Sequence, residues 1–142
     1  MTTNEGRTSF AVNHRLLLCC LCSLAFIGTT YYYIDSRKQA YEIQWIVISI
    51  ALYSFICFSI TKVFYKAKIG YLLAGIASWA TLAFLILDNY HIIFQTTMMA
   101  DKQNDITTIR NLILAGIASL GILSSHNAFH KFNHVQNKAK LM

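Results

Sequence analysis

Apolar residues in this sequence come in four long runs separated by short polar stretches, and within each run polar positions are too sparse to leave a water-facing stripe. A helix needs about 20 predominantly apolar residues to cross the hydrocarbon core of a bilayer. The four runs meet that length at about 16–34, 43–64, 69–93 and 108–128. The first opens as LLLCCLCSLAFIG directly after Arg15 and closes on Tyr31, Tyr32 and Tyr33, amphipathic rings that favour the headgroup level. The second carries Trp45 near its start as another interfacial anchor and stops at a basic turn containing Lys62, Lys66 and Lys68. That turn is so short that the third run must return beside the second as an antiparallel neighbour. The expected fold class is an all-α integral membrane protein, an antiparallel bundle of four transmembrane helices that forms one domain over residues 1–142.

Composition narrows the picture in the same direction. At 56% hydrophobic and 13% charged residues, with no proline, the chain is too apolar for an ordinary soluble domain, a disordered segment or a collagen-like fibre. The long apolar runs and the high mean hydropathy also argue against a disulfide-stapled secreted fold.

The net charge of +6 becomes informative once it is divided by span. Arg7, Arg15, Lys62, Lys66, Lys68, Lys131, Lys138 and Lys140 flank one set of helix ends, with Glu5 among them. Arg37, Lys38, Lys102 and Arg110 flank the other set, together with Asp35, Glu42, Asp88, Asp101 and Asp105. Because Lys and Arg in short flanks are retained on the cytoplasmic side, both termini are expected there. The positive charge then reports topology, and nucleic acid is not an expected partner. The first apolar run lacks a small-residue cleavage pattern and reads as a retained anchor. No N-x-S/T acceptor for glycosylation occurs.

The most specific internal feature is a repeated hexapeptide, LAGIAS, at 73–78 in the third run and 114–119 in the fourth. Small residues let helix backbones approach in lipid, where no hydrophobic drive brings helices together. At about 100° per residue, Gly70, Ala74, Ala77, Ser78 and Thr81 share one face of the third helix, and Asp88 returns to it. Asn111, Ala115, Ala118, Ser119 and His126 share a face of the fourth. These stripes predict either a tight internal helix pair or an interface between subunits. As consecutive spans run antiparallel, the repeat does not imply a transporter-type duplication.

Candidate chemistry is sparse. Glu42, Gln44, Asp88 and His91 fall near the outer boundary and form a candidate polar cluster, since an ionisable residue in a membrane segment is a functional hypothesis by default. His126, at the opposite boundary, lies roughly 30 Å from Asp88, so the two cannot share a site. His126, His130 and His134 recur at four-residue steps, which puts consecutive imidazoles on one helical face where two can share a zinc or copper ion, with His14 on the same membrane side. Against a metal reading, no acid or cysteine accompanies them in the tail. Cys19, Cys20 and Cys22, with Cys57 at matching depth, read as lipid-packed thiols toward the reducing face rather than a redox pair; Cys19 and Cys20 also lie close enough to Arg15 for palmitoylation. The ending KAKLM places Lys138 and Lys140 as in a dilysine retrieval signal, which implies coat-protein recognition and the endoplasmic-reticulum membrane, with a bacterial inner membrane as the alternative.

No cofactor is implied. The leading expectation is a non-catalytic assembly, adaptor or regulatory subunit that contacts the lipid bilayer and a membrane-protein partner or a second copy of itself. The alternatives are a small oligomeric transporter or channel using Asp88, and a membrane metal or redox enzyme.

Overall fold

The computed structural model describes residues 3–29, 43–94 and 105–139, with side chains at 8–29, 47, 48, 50–87 and 109–132. Over these residues the chain forms four α-helices: α1 (Thr3–Thr29), α2 (Ile43–Phe64), α3 (Lys68–Phe94) and α4 (Asp105–Ala139). The most extensive pairings are α3 with α4 and α1 with α4, while α2 lies mainly on α3 and secondarily on α1. Gly75 faces Ser125 and Gly121 faces Ser78, so α3 and α4 are antiparallel. Phe10 meets both Tyr71 and Phe132, which sets α1 antiparallel to α4 and alongside α3.

Among the described residues, three segments are long and apolar enough to cross a membrane, Thr8–Thr29, Lys68–Leu87 and Ile109–Phe132, and α2 contributes the apolar stretch Ile50–Phe64. The helix that carries the first is longer than its apolar run on the N-terminal side. The helix starts at Thr3 rather than near residue 16, and the expected end at Tyr31, Tyr32 and Tyr33 lies outside the described residues. Hydropathy discounts the polar run Asn13, His14, Arg15, yet a helix satisfies its own backbone and here the neighbours supply side-chain partners. Asn13 donates to the Ser9 carbonyl at 2.7 Å, His14 reaches Tyr71, and Lys131 of α4 donates to the Ser9 hydroxyl. In the same way α4 runs on to Ala139, past the expected end near residue 128, with Phe132 buried against α1 and α3.

The α2–α3 turn is closed by backbone geometry. Ala67 N–H donates to the Lys62 carbonyl at 3.0 Å and Lys66 N–H to the Val63 carbonyl at 2.8 Å. This is the Schellman pattern of a helix C-terminus, and it requires a left-handed residue, here Lys66 with φ 52°. One turn later Gly70 lets α3 return against α2. A Cβ there would lie 2.5 Å from the Lys62 carbonyl carbon and 2.6 Å from the Val63 nitrogen, backbone atoms that cannot swing aside.

The buried positions follow spacings of three and four in every helix. Leu17, Leu21, Leu24 and Gly28 line α1; Ile56, Ser59 and Val63 line α2. Tyr71, Ala74, Ser78, Thr81 and Leu85 line α3, and Asn111, Leu114, Ala118, Gly121, Ser125 and Ala128 line α4. This is the repeat by which nearly aligned helices pack knobs into holes. Two apolar clusters fill the interior, one around Leu17, Leu21, Ile56, Tyr71 and Phe132 and one around Leu24, Leu85 and Leu114.

Candidate functional site

Polar side chains in a helix interior are tolerated when each finds an acceptor, and the serines and threonines of this bundle find one turn back along their own helices. Ser59 donates to the Phe55 carbonyl at 2.8 Å, Ser78 to Ala74 at 2.9 Å and Thr81 to Ala77 at 2.8 Å. Bonded this way, a hydroxyl occupies little more room than a methyl group and keeps the surface small. Gly121 exploits this at the α3–α4 seam, where a Cβ would come within 2.6 Å of the Ser78 hydroxyl. Ser125 instead reaches across the seam and donates to the Tyr71 carbonyl, tying α4 directly to α3.

Tyr71 is the centre of the most connected cluster. Its ring is fully buried, and it lies 5.8 Å from Phe10, 5.9 Å from His14 and 5.8 Å from Phe132, centroid to centroid. Its hydroxyl is 2.9 Å from His14 Nδ1. Phe10 stacks on His14 at 6.2 Å, so α1, α3 and α4 are joined at this end by four rings around one hydrogen bond. The rings fill the space between the helices with contacts among themselves, which makes this a structural joint. Among the described residues, Arg15, Lys62, Lys66, Lys68 and Lys131 lie toward the same end, while Arg110 lies toward the other. Lys62 lies 5.2 Å over the Phe58 ring and Lys68 5.0 Å over Phe129, cations held against aromatic faces with their stems along apolar surface.

The small-residue positions divide sharply. Gly70, Ala74, Ala77, Ser78 and Thr81 are all buried in α3, and Ala118 and Asn111 are buried in α4. Ala115 is half-buried, and Ser119 stands exposed with its hydroxyl on the Ala115 carbonyl of its own helix at 2.8 Å. The inward edge of α4 thus runs through Leu114, Gly121 and Ser125 rather than Ala115 and Ser119, because α4 must present one continuous edge to both α1 and α3.

Of the histidines, His126 and His130 are both exposed on α4, with ring centroids 4.4 Å apart and an interplanar angle of 61°. The His134 side chain lies outside the described residues. Among the described residues, no three of His, Cys, Asp and Glu gather as a metal-ion site. Glu42 and the side chains of Gln44, Asp88 and His91 also lie outside the described residues, as do the Lys138 side chain and Lys140. Cys19, Cys22 and Cys57 are exposed and Cys20 is buried, all as free thiols.

Tyr71, Phe10, Phe132, Ser125 and Arg110 carry structural weight that span assignment overlooks. Asn111, Leu114, Ala118, Gly121 and Ser125 also follow a three- and four-residue spacing, but the sequence offers the Ala115 and Ser119 edge equally and does not choose between them. Arg110, grouped with a loop by hydropathy, is buried on α4, and its position inside an apolar run was the signal. Compared with known proteins, the chain matches no family model, no curated protein and no solved structure.

Proposed function

We propose that this is a multi-pass membrane protein that works without catalysis, as an assembly or regulatory subunit that packs against a membrane partner or a second copy of itself. The observation that carries the membrane reading is the inverted distribution of side chains. Phe26 is 76% exposed, Leu112 74%, Leu123 61% and Trp79 60%, while Ser59, Ser78 and Asn111 are fully buried. Exposing each large apolar side chain to water forgoes about 1.5–3 kcal/mol, a loss that lipid removes.

The subunit reading is supported by what the interior polar groups do: Ser59, Ser78 and Thr81 turn to carbonyls of their own helices and Ser125 to a carbonyl of α3, so their hydroxyls are engaged within the bundle. It is supported further by Trp79, which projects outward near the middle of the Lys68–Leu87 stretch. An indole favours the headgroup level, where its N–H meets water. Mid-span, a neighbouring helix supplies the acceptor that lipid tails lack.

The same reading includes orientation and address. Arg15, Lys62, Lys66, Lys68 and Lys131 lie toward one end of the packed helices, which supports placing that end, with both termini, in the cytoplasm. Lys138 and Lys140 would then be accessible to a coat protein, as an endoplasmic-reticulum retrieval signal requires.

The test is purification from the native membrane in mild detergent, with mass and composition of the particle determined. A stoichiometric partner or a dimer is expected, lost in Trp79→Ala while helix content is retained. A monodisperse monomer without a partner overturns the proposal.

A further inference from the structure

The pair of exposed imidazoles on α4 has no part in holding the bundle together. His126 and His130 are four residues apart, one helical turn, and both are exposed. Their rings approach to 4.4 Å between centroids, tilted by 61°. Two histidines at this spacing on one helical face are the means by which a helix presents two nitrogen ligands to one ion. With Zn–N distances of about 2.0–2.1 Å and tetrahedral angles, two imidazoles on one zinc have centroids roughly 5 Å apart. The observed 4.4 Å separation lies within about an ångström of that value.

Two ammonium groups lie nearby and work against a dication, so the two imidazoles must carry the site by their geometry. Lys131, next in sequence to His130, donates its ammonium to the Ser9 hydroxyl of α1. Lys68 rests its own ammonium 5.0 Å over the Phe129 ring. Both positive groups are held by other partners. Phe129 meets His130 edge to face at 6.0 Å and 88°, giving the ring a wall on one side.

We propose that His126 and His130 form a two-imidazole binding site for Zn²⁺ on the outer face of α4, with the remaining coordination positions left to water or to an external ligand. Imidazole nitrogen suits zinc, and a site with open positions is one that an incoming ligand completes. Because α4 continues as a helix to Ala139, His134 stands two turns beyond His126, about 12 Å along the axis, too far for one ion to bridge both. His130 belongs to any pair formed on this face, and His126 defines the site proposed here. The site is independent of the subunit reading above, since zinc binding requires no partner.

Calorimetric titration of the purified full chain in detergent with ZnCl2 tests it. One zinc per chain is expected, with affinity reduced at least tenfold in His126→Gln and in His130→Gln. His134→Gln is expected to bind as the unaltered protein does. All three positions are varied to a polar residue of similar size, and circular dichroism verifies that each variant keeps its helix content. Absence of saturable binding overturns the proposal. So does binding that survives His126→Gln, or binding lost in His134→Gln, which would place the ion a turn further along.

Discussion

The two LAGIAS hexapeptides are identical in sequence and sit in neighbouring antiparallel helices, yet they turn different residues inward. In the α3 copy Ala74, Ala77 and Ser78 are buried and Ile76 faces out. In the α4 copy Leu114 and Ala118 are buried, Gly116 and Ser119 face out, and a Cβ on Gly116 would meet nothing within 4 Å. The difference arises from what each helix must touch. α3 packs its small side on α4 and its Gly70 end on α2, so the stripe of small residues is used up by close approach. α4 lies between α1 and α3 and buries the edge that serves both, which includes Leu114 and swings Ser119 away. A motif of small residues therefore permits close packing without choosing the neighbour.

The largest contrast between the copies is expected at their serines. Ser78→Leu forces a branched side chain against Gly121, where the Ser78 hydroxyl already fills the space a Cβ would need. Overpacking of this kind costs about 1–3 kcal/mol. Ser119→Leu, on the exposed face, should stay within about 0.5 kcal/mol. Reversible unfolding in mixed micelles measures both, and equal losses would show that the two copies pack alike.

A smaller effect tests whether the inward turn of the first copy depends on the aromatic joint one turn before it. Tyr71→Phe keeps the ring among Phe10, His14 and Phe132 and keeps the carbonyl that accepts from Ser125. It removes only the 2.9 Å hydrogen bond to His14, worth about 0.5–1.5 kcal/mol. A loss well above that in the same unfolding assay would mean that the hydroxyl organises the joint as well as the ring.

The finest comparison is between the two glycines of the repeat. Replacing either by alanine in a helix gains up to about 1 kcal/mol from backbone propensity. Gly116→Ala should show that gain, since its surroundings are open. At Gly75 a Cβ would lie 2.7 Å from the Ser125 hydroxyl, which must rotate off the Tyr71 carbonyl to make room. The lost hydrogen bond offsets the gain, so the two variants should differ by about 1 kcal/mol in unfolding free energy.

Much of this architecture is legible in the pattern of apolar residues. The bounds of α2 coincide with the apolar run at 43–64, and the short basic turn after it forces the α2–α3 return. The helices α1 and α4 extend past their apolar runs into a polar beginning and a polar end. Asn13, His14 and Lys131 lower the local hydropathy, yet Asn13 is satisfied within its own helix and His14 and Lys131 find partners once the helices meet. A window average weighs each residue by its cost in isolation and cannot credit a hydrogen bond made across the bundle. The candidate histidines illustrate the same limit: spacing puts His126 and His130 on one face, and the packed bundle decides that this face is open.

By itself, the order of residues determined that the chain is helical, where its apolar segments lie and how abruptly the second turns into the third, because those properties depend on local hydrogen bonding and on side-chain transfer from water. It also placed small residues at helical spacing. Only the tertiary structure decided which edge of each helix faces inward, since a helix with apolar residues all round carries no strong amphipathic signal to orient it. Contact with several neighbours at once made that choice, burying Ser78 while leaving its counterpart Ser119 exposed.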